Sequence, residues 1–200
     1  MTSVLIGKKA PTFCAKAVAD GRIIDQISLE EFQGKFVVLF FYPLDFTFVC
    51  PTELHAFQQQ LPEFEKRGAQ IIGCSVDSHY AHYAWQEMPK ARGGIEGVRY
   101  PIISDLSKEI ARDYQVLKED EGVAYRGLFI IDRQGVIRHQ LVNDLPLGRS
   151  VEEVLRTLDA LIHFEQHGEV CPANWHAGSK SMRPTQEGLI SYFTAPHVLN

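Results

Sequence analysis

Phe36-Val37-Val38-Leu39-Phe40-Phe41-Tyr42-Pro43-Leu44-Asp45-Phe46-Thr47-Phe48-Val49-Cys50-Pro51-Thr52-Glu53 is the stretch that decides the fold. Its first residues, Phe36 to Phe41, form an unbroken apolar run, the pattern of a strand buried on both faces. After Cys50 the period changes: Leu54, Phe57, Leu61 and Phe64 recur at helical spacing, so the next element reads as an amphipathic helix. Pro51 suits the first helical position, where a missing N–H leaves nothing unsatisfied. Cys50 therefore stands where a buried strand hands over to a helix, at or just before the first turn. Free backbone N–H groups and the positive end of the helix dipole favour negative charge there, and the thiolate is the nucleophilic form of a thiol. A lone free cysteine usually behaves as a small buried hydrophobe; here a proline, a threonine and a helix start fall in register with it.

Working outward, the chain alternates strand-like and helix-like stretches from about Lys35 to His167. Strands are expected at Phe36–Tyr42, Gln70–Val76, Tyr100–Ser104 and Gly127–Ile131, with helical stretches after Cys50, Ser78 and Ser107. That order predicts an α/β fold with a mostly parallel sheet. Asp132-Arg133-Gln134-Gly135 reads as a hairpin turn into Val136–Val142, an antiparallel pair at the sheet edge. The last helix shows one apolar face, Val151, Val154, Leu155, Leu158, Leu161 and Ile162, opened by a Ser150-Val151-Glu152-Glu153 capping box and stopped at Gly168. Beyond it, Glu169 to Asn200 has little periodicity, three prolines and several apolar residues, among them Trp175, Ile190 and Phe193, that need a surface to cover. The expected organisation is a domain over 1–168 and a C-terminal arm over 169–200 that packs on another subunit or back on its own core.

Composition narrows the function. The 200 residues are 45% apolar and 22% charged, ordinary for a globular domain with a full core. Net charge is −5 and no block of five basic residues occurs, which argues against nucleic acid or an anionic membrane as partner. No apolar run approaches a membrane span, and residues 1–10 carry Lys8 and Lys9 with no apolar signal core. Cys14, Cys50, Cys74 and Cys171 are few and scattered, with neither Cys-x-x-Cys nor zinc spacing, so a redox role for one or two fits better than a disulfide framework. His79 and His82, and His163 and His167, share helix faces in pairs without a third ligand of matching pattern, so no metal site is expected, nor any cofactor. Trp85 and Trp175 read as packing residues.

Pro43-x-x-x-Thr47-x-x-Cys50, continued by Cys50-Pro51-Thr52-Glu53, resembles the active-site motif of peroxiredoxins, specifically the typical 2-Cys or alkyl hydroperoxide reductase C group. The resemblance extends over nearly the whole chain and implies a thioredoxin-like fold, a central mixed sheet flanked by helices. It also implies a cytoplasmic thiol peroxidase that reduces hydrogen peroxide and organic hydroperoxides, with thioredoxin or a flavoprotein disulfide reductase as electron donor. Cys50 would attack the peroxide, Thr47 would hydrogen-bond sulfur and peroxide oxygen, and Pro43 would shield the thiolate. Ala124 to Asp132 resembles the family strand that carries the active-site arginine, which assigns Arg126. Asn143 to Ser150 resembles a second motif, in which Arg149 pairs with Glu53 and orients Arg126. A cation near that helix start opposes the dipole, which independently calls for a specific partner.

Glu169-Val170-Cys171-Pro172 resembles the resolving-cysteine motif, implying a disulfide from Cys50 of one chain to Cys171 of its partner, within a homodimer and commonly a ring of five dimers. Cys74 fits a central strand as a small apolar residue, and Cys14 lies in a family segment that does no chemistry. Gly93-Gly94-Ile95-Glu96-Gly97 resembles a family loop that, with a Tyr-Phe pair matched by Tyr192-Phe193, slows unfolding at the active site; Glu96 is an insertion, and residues 194–200 are expected to fray. Together these imply intermediate sensitivity to overoxidation. Other functions compatible with the resemblance are a holdase chaperone ring and a peroxide sensor that relays oxidation.

Overall fold

The computed structural model describes residues 4–195. The chain forms two compact units, residues 1–151 and residues 152–200. The first holds β1 (Cys14–Ala19), β2 (Arg22–Ser28), β3 (Phe36–Phe41), α1 (Cys50–Gln59), α2 (Leu61–Lys66), β4 (Ala69–Ser75), α3 (His79–Glu87), β5 (Ile102–Ser104), α4 (Glu109–Asp113), β6 (Leu117–Lys118), β7 (Val123–Ala124), β8 (Arg126–Ile131) and β9 (Ile137–Asn143). α5 (Val151–His167) and α6 (Gln186–Phe193) follow.

The main sheet has seven strands in the order β2-β1-β5-β4-β3-β8-β9. Only the central pairs, β3 with β4 and β4 with β5, are parallel; β1 with β2, β1 with β5, β3 with β8 and β8 with β9 are antiparallel. The sheet is thus mixed, as the thioredoxin-like resemblance implied, with fewer parallel pairs than the strand–helix alternation suggested because hairpins extend the parallel centre at both edges. The N-terminal hairpin went unread in the sequence, although its turn is Asp20-Gly21 with both residues at positive φ (49° and 70°). The C-terminal hairpin turns where expected: Asp132 Oδ1 accepts from the backbone N–H groups of Gln134 and Val136, and Gly135 takes φ 76°.

β3 is the spine. All six of its residues are buried. Val37, Leu39 and Phe41 belong to the cluster that includes Tyr114, Phe129 and Ile131 on one face of the sheet. From the other face Phe40 stacks on Phe57 of α1, with ring centroids 4.4 Å apart. The helix foreseen after Cys50 is broken in two. Pro62 has no N–H to donate, and Gln60 leaves the helical region with ψ 3°. Leu61 and Phe64 therefore bury from a second helix, while α1 is short enough to be placed by Leu54 and Phe57.

In the second unit, α5 spans the expected apolar face, and the following segment is more ordered than its sequence texture implies. Val170 and Met182 form an antiparallel bridge, and Trp175 is buried with Nε1 donating to the Ser179 carbonyl, 3.0 Å. Thr185 caps α6 by accepting from the Gly188 N–H. Of the expected fraying over 194–200, residues 196–200 lie outside the described residues.

Phe57→Ala is expected to lower stability by about 3–5 kcal/mol, because it empties the space between α1 and the spine. A urea unfolding midpoint that falls correspondingly, at unchanged slope, is the measurement.

Candidate active site

β3 runs out at Phe41, and the loop to α1 is built from buried polar anchors and one strained turn. Tyr42 N–H extends the ladder to the Cys74 carbonyl. Pro43 is buried directly after it. The Asp45 carboxylate is fully buried and held from two sides: Tyr42 Oη donates to Oδ1 at 2.8 Å, and His82 Nδ1 lies 2.7 Å from Oδ2. Burial pushes the Asp45 carboxyl up, with the His82 bond acting against it. Asp77 takes the Asp45 backbone N–H at 2.9 Å and the Ser75 hydroxyl at 2.6 Å. So anchored, Phe46 adopts φ 57°, a conformation that bulky side chains rarely take. This turn brings Thr47 back over the helix start.

Cys50 is the first residue of α1 and is fully buried. Its Sγ lies 2.8 Å from Thr47 Oγ1, which is also 2.9 Å from the Leu44 carbonyl. A hydroxyl has one proton to give. Facing a thiolate, Thr47 donates to sulfur and keeps its lone pairs free to accept from an incoming O–H. Facing a thiol, it turns to Leu44. Arg126 also reaches the sulfur, its guanidinium NH1 3.5 Å from Sγ.

Arg126 is fixed by its own bonds. Nε donates to the Leu145 carbonyl at 2.6 Å, and NH1 donates to Glu53 Oε2 at 2.6 Å. Glu53 lies one turn beyond Cys50 on α1, so helix geometry alone sets it beside the sulfur. Arg149 completes the cluster: Nε and the backbone N–H reach Glu53 Oε1 at 2.7 and 2.9 Å, and NH2 reaches Oε2 at 2.9 Å. Its NH1 donates to the carbonyls of Phe41, 2.7 Å, and Gly127, 2.6 Å, tying β3 to β8. The three side chains are buried, at 3% (Glu53), 3% (Arg126) and 1% (Arg149) exposure. Two guanidiniums share one carboxylate. One positive charge is left over, and it faces Cys50 in a setting with little solvent to screen it.

Cys50, Thr47, Arg126, Glu53 and Arg149 are thus brought together within the first unit, which also holds the buried Pro43. Cys171 belongs to the second unit. It is half-buried there, its Sγ 3.6 Å from the Ala160 carbonyl, and burial pushes its thiol up, Arg156 acting against this. All four cysteines are free thiols. Cys74 is buried in β4, with its thiol pushed well up by burial, whereas Cys14 is exposed at the start of β1.

Sequence reasoning missed Tyr42, Asp45, Asp77 and His82 as the scaffold of the loop. Polar residues embedded between Phe41 and Phe46 were the available signal. The His79/His82 pair does not share a face in use: His82 is buried against Asp45 and the Ile103 carbonyl, 3.3 Å. The His163 and His167 ring centroids lie 4.6 Å apart, the rings tilted by 42°. No group of three or more His, Cys, Asp or Glu residues able to hold a metal occurs among the described residues.

Glu53→Gln leaves two buried guanidiniums without their shared counter-charge. The expected loss is about 3–5 kcal/mol of stability, read from chemical denaturation, together with loss of the fixed position of Arg126.

Comparison with known proteins shows which family the chain falls in. The AhpC/TSA family profile matches residues 6–140, and a profile described as the C-terminal domain of 1-Cys peroxiredoxin matches residues 160–195. A thioredoxin peroxidase of Echinococcus granulosus is 51% identical over 193 residues, covering 96% of this chain and 100% of that protein. Peroxiredoxin-1 of Gallus gallus is 53% identical over 190 residues, 94% of this chain and 95% of that one. Among solved structures, the reduced 2-Cys peroxiredoxin of Plasmodium vivax superposes with a TM-score of 0.93 at 46% identity, covering 96% of this chain and 100% of the other. With the cysteine, its hydroxyl and its arginine already in place, the chain belongs to the peroxiredoxins of the AhpC/TSA family, thiol peroxidases of thioredoxin-like fold.

Proposed function

We propose that the chain reduces hydrogen peroxide and organic hydroperoxides by a two-cysteine cycle between subunits. The Cys50 thiolate attacks the terminal oxygen of the hydroperoxide. The S–O bond forms as the O–O bond breaks, and the departing alkoxide or hydroxide takes up a proton and leaves as alcohol or water. Arg126 faces the charge that moves from sulfur to the leaving oxygen, and Thr47 holds the peroxide hydrogen, so the donors are in place before reaction begins. Pro43 excludes water from the sulfur. The product at Cys50 is a sulfenic acid. The Cys171 thiol of the partner chain condenses with it, releasing water and forming a disulfide. A dithiol reductant, thioredoxin or a flavoprotein disulfide reductase, then reduces that disulfide.

The observation that carries this reading is the convergence of Thr47 Oγ1 and Arg126 NH1 on one buried sulfur, 2.8 and 3.5 Å away. The similarity to a protein named thioredoxin peroxidase supports thioredoxin as donor. A homodimer is supported by apolar residues left exposed in the second unit, Leu189 at 40%, Ile190 at 54% and Phe193 at 56%. Further association into five dimers belongs to the same reading, as does residence in the cytoplasm. The Ile95–Val98 turn carries the inserted Glu96 out to solvent while Ile95 and Val98 stay buried. The insertion thus leaves the packed side of the loop intact, which supports intermediate sensitivity to overoxidation.

NADPH consumption coupled through thioredoxin and its reductase is expected to depend on peroxide and to vanish in Cys50→Ser. Arg126→Met should slow oxidation of Cys50 by about 100- to 1000-fold, and undiminished turnover in Cys50→Ser would refute the assignment. On non-reducing electrophoresis, one equivalent of peroxide should convert the protein to a covalent dimer, and Cys171→Ser should abolish that band. A covalent dimer that persists in Cys171→Ser would contradict the intersubunit step.

A further inference from the structure

Cys171 rests as a thiol. Its Sγ lies 3.6 Å from the Ala160 carbonyl of α5. A carbonyl oxygen only accepts, so the sulfur donates its S–H there, and the contact serves the neutral form alone. Burial pushes this thiol up, the Arg156 guanidinium pulls it down, and the Glu169 carboxylate two residues before pushes it up again. The thiolate is nevertheless the form that attacks sulfur. Among the described residues, Arg156 is the one charge that favours it.

Arg156 stands one helical turn before Ala160, on the same face of α5. Its fork is fixed on two sides. Nε and NH2 donate to the two carboxylate oxygens of Glu153, each at 2.7 Å, and NH1 donates to the Trp175 carbonyl at 2.8 Å. Trp175 closes the turn that follows Cys171. It is buried, its backbone N–H donates to the Pro172 carbonyl at 3.1 Å, and its ring meets that of His163 with centroids 5.0 Å apart. The bond from Arg156 therefore holds the far end of this turn to the same helix that takes the Cys171 thiol at its near end. A guanidinium has five N–H groups. Three are used here, which leaves one on each terminal nitrogen among the described residues. The other charges about the turn act on Glu169 and not on the sulfur: His163, with Nε2 3.7 Å from Glu169 Oε2, Arg183 and His167. All of these groups belong to the second unit.

We propose that Arg156 is the positioning residue of the resolving thiol: it ties the turn 172–175 to α5, and its two spare N–H groups receive the Cys171 sulfur once the proton has left. The inference rests on the two-cysteine cycle proposed above. On losing its proton to solvent, the sulfur turns from the Ala160 carbonyl, which repels negative charge, toward the guanidinium. The thiolate then attacks the sulfenic sulfur at Cys50 of the partner subunit. The S–S bond forms as the S–O bond breaks, and the departing hydroxide takes up a proton from solvent and leaves as water. Glu153 acts through Arg156, holding the plane of its fork by two parallel bonds.

The rate of iodoacetamide alkylation at Cys171 against pH, read by mass spectrometry on its own peptide from the reduced full-length protein, gives the midpoint of thiolate formation. Arg156→Met should raise that midpoint by about 0.5 to 1 pH unit, and Arg156→Lys, which keeps the charge, should leave it close to the original. Stopped-flow intrinsic fluorescence after one equivalent of hydrogen peroxide follows disulfide formation. Nucleophilicity rises with the pKa of a thiol, so Arg156→Met should form the disulfide about 2- to 3-fold more slowly below the midpoint and no more slowly above it. Loss of the turn's structure alone would slow the reaction equally at every pH. The preceding phase, oxidation of Cys50, should be unchanged. An unshifted alkylation midpoint in Arg156→Met overturns the assignment, as does an equal shift in Arg156→Lys or a slowing that is uniform across pH. If the unsubstituted protein forms no Cys50–Cys171 disulfide, the two-cysteine reading falls, while the alkylation profile still decides whether Arg156 governs the thiol.

Discussion

One carboxylate shared between two buried guanidiniums organises this molecule. Glu53 takes four donated hydrogen bonds, from Arg126 NH1 and from the Nε, NH2 and backbone N–H of Arg149. Through it α1, the start of β8 and the residues before α5 are locked together, and Arg149 reaches on to the carbonyl of Phe41 at the end of β3. Groups of this kind are strongly unfavourable when buried alone and tolerable only with complete pairing. The pairing here is complete for Glu53 and deliberately short by one negative charge for the cluster. The missing charge is the one a thiolate at Cys50 supplies.

That electrostatic arrangement needs a loop able to hold a hydroxyl against the sulfur, and the second polar network provides it. Asp45, Tyr42, His82 and Asp77 fix the residues around Phe46, whose left-handed backbone costs about 1–3 kcal/mol. The strain persists because the neighbours on both sides are anchored. The strand, the strained turn and the helix start then present Thr47 and Cys50 to each other at 2.8 Å. Stability and reactivity are here supplied by the same contacts.

Much of this was legible in the sequence. β3 was readable because six consecutive apolar residues leave no other element that buries them, and the helix start at Cys50 because Pro51 marks it. The motif Pro43, Thr47, Cys50 and the distant Arg126, Glu53 and Arg149 came from family resemblance; no local pattern says that residues 53, 126 and 149 meet. The edge hairpin of β1 and β2 escaped notice although Asp20-Gly21 is a strong two-residue turn signal; its short strands, in which only Ala17, Val18 and Ile27 are buried, gave a weak alternation to go with it. Pro62 was passed over because Leu61 and Phe64 keep helical spacing across the break. The buried role of His82 was hidden by its resemblance, in spacing, to half of a metal site.

The central claim is that the Thr47 hydroxyl, 2.8 Å from Sγ, and the Arg126 guanidinium held by Glu53 make Cys50 the peroxide-reactive sulfur. Stopped-flow measurement of Cys50 oxidation by hydrogen peroxide in Thr47→Val and Thr47→Ser tests it most directly. The account predicts a rate constant about 100-fold lower in Thr47→Val and close to the original in Thr47→Ser, which keeps the hydroxyl. Oxidation of Thr47→Val at the unsubstituted rate would contradict it.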